Sequence, residues 1–127
     1  MKLRIKGNSI RLRLSQTEVN GFGTEGVCSD RTTLAGGVLN YTLQRSDVAA
    51  IVATLKQQHI VVEVPEAVAK QWVEDTTQVG FDHFQKVDGG EELRILVEKD
   101  FTCLVDRPHE DESDNFPNPI AEEGGKC

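Results

Sequence analysis

The stretch Lys2-Leu3-Arg4-Ile5-Lys6-Gly7-Asn8-Ser9-Ile10-Arg11-Leu12-Arg13-Leu14 decides the fold class. Basic and apolar residues alternate with a period of two on either side of Gly7-Asn8, the pattern of a two-stranded hairpin closed by a two-residue turn. About that turn Ile5 faces Ile10, Leu3 faces Leu12, Arg4 faces Arg11 and Lys2 faces Arg13. One side of the ribbon is then apolar and the other carries Lys2, Arg4, Lys6, Arg11 and Arg13. Like charges set opposite each other weaken a sheet, so these five cations are expected to meet negative charge: the chain's own acidic tail, a partner or a ligand.

Beyond the hairpin the balance of charge reverses. The 127 residues hold 21 acids and 14 bases, a net charge of −7. A general nucleic-acid or membrane binder is not expected, because a polyanion would meet mostly like charge. The expected partners are a small anionic ligand or a second copy of the chain. The length suits one domain that buries roughly 65 to 70 % of its unfolded surface, enough for a core without disulfides or metal. Cys28, Cys103 and Cys127 make no disulfide framework, and the basic N-terminal stretch has no unbroken apolar run, so a cytoplasmic setting is expected. No cofactor is expected.

After the hairpin, Ser15-Gln16-Thr17-Glu18 has the form of a capping box. It opens a short helix with Val19 and Phe22 on its buried side, weakened and ended by Gly21, Gly23 and Gly26. Residues 27–34 and 38–44 read as strands around Gly36-Gly37. The stretch from Val48 to Leu55 suits a strand or a short helix, and its β-branched residues and the turn at Gln57-Gln58 favour a strand that pairs with Ile60 to Val64. Pro65 starts a second helix with Ala67, Val68 and Trp72 on one side. Strands at 79–87 and 93–98 join at Asp88-Gly89-Gly90, and Phe101 to Val105 extend the sheet.

The halves correspond. A shift of 50 aligns Ile10, Leu12 and Leu14 with Ile60, Val62 and Val64, and Phe22 with Trp72; a shift of 54 aligns Leu39, Tyr41 and Leu43 with Leu93, Ile95 and Val97. The expected fold is α+β: an antiparallel sheet of about eight strands with two short helices on one face, built from a repeated strand-strand-helix-strand-strand unit, either open or curled into a barrel. The face away from the helices would gather Lys2, Arg4, Lys6, Arg11, Arg13, Asn40, Thr42, Gln44, Glu63, Arg94 and Glu98. The domain spans residues 1–106, and residues 107–127 form an acidic strap with prolines that folds back toward the hairpin.

Lys2, Arg4, Lys6, Arg11, Arg13 and Arg94 are the anion-binding candidates, since arginine matches phosphate or carboxylate with two parallel hydrogen bonds. The alternative is a solvated face balanced by Glu63, Glu98 and other strand carboxylates. In the strap, Asp111, Ser113 and Asn115 alternate like calcium ligands, but Phe116 stands where that loop needs glycine. His109 with Cys103 and Cys127 offers soft ligands at a spacing that matches no zinc pattern, so no metal is expected, and Cys103, His109, Asp111 and Cys127 are the candidates if one binds. His59, His83 and His109 belong to no legible catalytic triad or dyad, and Gly21 to Gly26 close a helix where a dinucleotide fingerprint would open one. The chain reads as a binding or accessory protein, with an enzyme acting on a small phosphorylated or carboxylated compound, or a homodimer-forming module, as the alternatives.

In outline the repeated unit resembles the triphosphate tunnel enzymes. The metal-holding Glu-x-Glu-x-Lys strand of that family is absent here, where the strands read Leu3-Arg4-Ile5-Lys6 and Ile10-Arg11-Leu12-Arg13, so its activity is not carried over. The N-terminal segment through Ser15, together with Glu98-Lys99-Asp100-Phe101-Thr102-Cys103-Leu104 and the segment from Glu110 to Pro119, resembles a family of short uncharacterised bacterial proteins. That resemblance implies a single domain and brings no activity.

Overall fold

The structure is a computed structural model, and it describes residues 1–101 together with Asp114 and Phe116. Along the chain run β1 (Lys2–Lys6), β2 (Ser9–Leu14), α1 (Gln16–Glu25), β3 (Val27–Leu34), β4 (Gly37–Ser46), β5 (Val52–Lys56), β6 (His59–Pro65), α2 (Glu66–Glu74), β7 (Gly80–Lys86) and β8 (Glu92–Lys99). The β1–β2 register is the one the alternation dictates, with Ile5 opposite Ile10 and Arg4 opposite Arg11.

The strands do not form one antiparallel sheet, and they do not close into a barrel. They form two four-stranded mixed sheets: sheet A in the order β1-β2-β8-β7 and sheet B in the order β3-β4-β6-β5. In each, two antiparallel hairpins join through a central parallel pair, β2 with β8 and β4 with β6. In neither pair are the two strands consecutive in the chain, so no tight turn forces them antiparallel. Each sheet therefore takes one hairpin from each half of the chain.

The central registers obey the shifts of 50 and 54. Ile10 pairs with Ile95 as Ile60 pairs with Tyr41, and Leu12 pairs with Val97 as Val62 pairs with Leu43. These side chains close the core. Leu12, Leu14, Val97, Leu43, Val62, Val64 and Trp72 have no exposed surface, and Phe22, Val19, Ala69 and Ile95 have almost none. Each fully buried aliphatic or aromatic group of this kind contributes roughly 1.5–3 kcal/mol. On α2 the inward residues are Ala69 and Trp72, whereas Ala67 is exposed. Phe22 and Trp72 meet edge to face at 6.1 Å, and Phe81 meets Trp72 at 5.4 Å.

Helix α1 starts with the capping box: Ser15 Oγ accepts from Glu18 N–H, and Glu18 Oε1 accepts from Ser15 N–H. It ends at Gly26, whose φ of 80° suits the left-handed cap. Neither helix has a basic residue in its last turn. Strand side chains supply the missing donors. Arg45 donates from Nη1 to the Gly23 carbonyl at 3.0 Å, and Lys99, its counterpart at a shift of 54, donates from Nζ to the Asp75 carbonyl at 2.8 Å.

Candidate functional site

The outer face of sheet A is a grid set by its registers. One row reads Lys6, Ser9, Arg94, Phe84; the next Arg4, Arg11, Leu96, Asp82; the third Lys2, Arg13, Glu98, Gly80. All six anion-binding candidates therefore share one face. Asn40, Thr42, Gln44 and Glu63, expected beside them, lie on sheet B. The reason is the exchange of hairpins: β4 and β6 pair with each other and not with β2.

Two acids stand in the grid. Glu98 Oε1 lies 3.2 Å from Arg11 Nε and 3.5 Å from Arg13 Nε, in ion-pair range but aligned for a hydrogen bond with neither. Asp82 Oδ2 lies 3.4 Å from Arg94 Nη2, and the Arg94 guanidinium also sits 5.8 Å over the Phe84 ring. Lys2 pairs with the buried Asp100 at 2.9 Å. Among the described residues Arg4 and Lys6 have no carboxylate within ion-pair distance. They share a depression of about 240 Å³ with Ser9, Arg11, Arg94 and Leu96.

Ser9, Leu96, Asp82 and Phe84 escaped the sequence reading. Their strands alternate legibly, but nothing local to β7 or β8 says that β2 is their neighbour.

Two residues of the strap are described. The Asp114 carbonyl accepts from Gln16 N–H at 2.9 Å, and its Oδ1 accepts from Thr17 N–H at 3.2 Å and Thr17 Oγ1 at 2.8 Å. With Ser15 accepting from Glu18, the first three N–H groups of α1 are all satisfied. Hydrogen bonds from the Ser15 and Thr17 side chains hold the Asp114 carboxyl below its ordinary 3.8. Phe116 donates its N–H to the Asp100 carbonyl, and its ring lies 5.6 Å from that of Phe101. The two described strap residues thus lie against the start of α1 and the chain just beyond β8. Cys103, His109, Asp111 and Cys127 lie outside the described residues.

Among the described residues no group of three or more His, Cys, Asp or Glu side chains is placed to hold a metal ion, and no helix is long and apolar enough to cross a membrane. Burial pushes the half-buried Cys28 thiol above 9.0, with Glu18 and Asp30 adding to the effect, which disfavours the reactive thiolate.

The sequence profile of a family of unknown function, DUF7009, matches residues 1–120. The chain belongs to that family. The match takes in both the basic hairpin and the strap as far as Ile120. No curated protein and no solved structure matches the chain.

Proposed function

We propose that this protein is a binding or accessory protein whose outer sheet A face holds a small anion, with Arg4, Lys6, Arg11 and Arg94 supplying charge and Ser9 a hydroxyl. One observation carries the reading: four cationic side chains line a single depression that no carboxylate lines, on a chain whose net charge is −7. Two of them, Arg4 and Lys6, have no ion-pair partner among the described residues. Leaving such charges together on a strand pair is unfavourable unless an anion completes them.

The ligand is a phosphate or carboxylate group of a small molecule. Arg4 and Arg11 are cross-strand neighbours, so their forked guanidinium groups offer paired donors to one planar or tetrahedral anion. Lys2 and Arg13 lie one row away and raise the local potential. Glu98 tempers it by engaging Arg11 and Arg13.

The test is calorimetric titration with inorganic phosphate and pyrophosphate. Replacing both Arg4 and Lys6 by alanine is expected to weaken binding about tenfold or more, the cost of losing charge-assisted hydrogen bonds, while leaving the melting temperature unchanged or slightly raised. Glu98→Gln is expected to tighten binding by freeing Arg11 and Arg13. Binding that is indifferent to both changes would overturn the assignment.

A further inference from the structure

We propose that a second binding site, for a small singly charged carboxylate bearing hydroxyl groups, lies on sheet B at the place that corresponds to the basic depression of sheet A. It does not depend on the reading of that first face.

The correspondence follows from the registers. The row Lys6, Ser9, Arg94 of sheet A becomes Lys56, His59, Asn40 of sheet B under the shifts of 50 and 54, and Lys56 pairs with His59 as Lys6 pairs with Ser9. A depression of about 740 Å³ lies there, lined by Asn40, Lys56, Gln57, Gln58 and His59. No carboxylate lines it, and Lys56 has no ion-pair partner among the described residues. Its chemistry differs from that of sheet A: one permanent charge in place of four, and three side-chain amides that both donate and accept. One charge matches one carboxylate. The amides match hydroxyl groups around it.

Two further observations point to a built site. His59 is held by a chain of hydrogen bonds: its Nε2 lies 2.7 Å from Thr42 Oγ1, and that hydroxyl lies 2.8 Å from Ser29 Oγ. Thr42 is buried, so the imidazole is fixed from behind. When Ser29 donates to Thr42 and Thr42 to Nε2, the imidazole carries its proton on Nδ1 and becomes a donor for an anion. The second observation is in the β5–β6 turn. Gln57 has a φ of 54°, the same value as Gly7 at the corresponding position of the β1–β2 turn, and among the described non-glycine residues it alone has positive φ. Glycine takes that conformation freely, whereas a long side chain is disfavoured there. Gln57 lines the depression, so the strain places an amide where a ligand would use it.

The experiment is an NMR titration of the full chain in which Arg4 and Lys6 are already alanine, which removes the sheet A response and separates the two sites. The probes are D-gluconate, sorbitol and inorganic phosphate. Gluconate is expected to shift the side-chain amides of Asn40, Gln57 and Gln58 and the His59 ring saturably, with sorbitol and phosphate binding more weakly. Lys56→Ala, at an exposed position, should weaken gluconate about tenfold. Gln57→Gly should weaken it while raising the melting temperature. The proposal is overturned if gluconate gives no saturable shift at these residues, if sorbitol or phosphate binds as well, or if Lys56→Ala leaves the affinity unchanged.

Discussion

The Lys99 ammonium donates to the Asp75 carbonyl oxygen at 2.8 Å, with the rings of Trp72 and Phe116 at 5.9 and 5.6 Å. It closes the C-terminal end of α2 from a neighbouring strand and is only 4 % exposed. Lys99→Met keeps the unbranched apolar stem, one atom shorter, but leaves that carbonyl without its donor, so a loss of about 1–3 kcal/mol is expected in urea unfolding. Burial lowers the Lys99 pKa from 10.5, against an opposing pull from the Asp75 carboxylate. The folded state therefore releases the proton before the unfolded chain does. As pH rises from the folded value toward 10.5, the wild type should gain stability relative to Lys99→Met.

Gly80 and Gly21 predict opposite outcomes for the same substitution. A Cβ at Gly80 would run into the Val97 carbonyl oxygen and come within 2.9 Å of Glu98 Cγ, so β7 would have to move off β8. Gly80→Ala should cost about 1–3 kcal/mol and disturb the strand that carries Asp82 and Phe84. Gly21 lies within α1 with open space around its missing side chain. Gly21→Ala should stabilise by about 0.5–1 kcal/mol. Chemical denaturation of the two variants checks both.

Asp114 ties the strap to α1 as an anion. Its carboxyl lies below 3.8 when folded, so its contribution is fully present above 3.8 and is lost as pH falls through the lower folded value. Asp114→Asn should lower the melting temperature at neutral pH. The gap between variant and wild type should then close under acid conditions. A gap that stays constant with pH would mean that the charge plays no part.

The exchange of hairpins predicts how the chain can be cut. A fragment of residues 1–47 holds two hairpins that belong to different sheets, and so does a fragment of residues 48–127. Neither fragment can pair β2 with β8 or β4 with β6, so each alone should be largely unfolded by circular dichroism. Mixed together they should regain the native spectrum. Independent folding of either fragment would contradict the pairing.

Local chemistry set the elements. Alternation around Gly7-Asn8 fixed the register of the first hairpin, Ser15 and Glu18 fixed the start of α1, and the glycine and glutamine turns marked the other hairpins within a few residues. The same alternation placed Lys2, Arg4, Lys6, Arg11 and Arg13 on one face, because a period of two leaves a strand only two sides. Strand β5 begins at Val52, later than the apolar run from Val48 implies, since Val48 to Ile51 are apolar without being strand.

Residue order alone is therefore enough for each hairpin and for the side on which its charges stand. The joining of β2 to β8 and of β4 to β6, which brings Arg94 to the basic hairpin and puts Asn40 and Thr42 on sheet B, comes only with packing of the whole chain. The reason is range: a turn is governed by a few adjacent residues, whereas a parallel pair between strands some 80 residues apart is selected by how all the apolar faces close on one core.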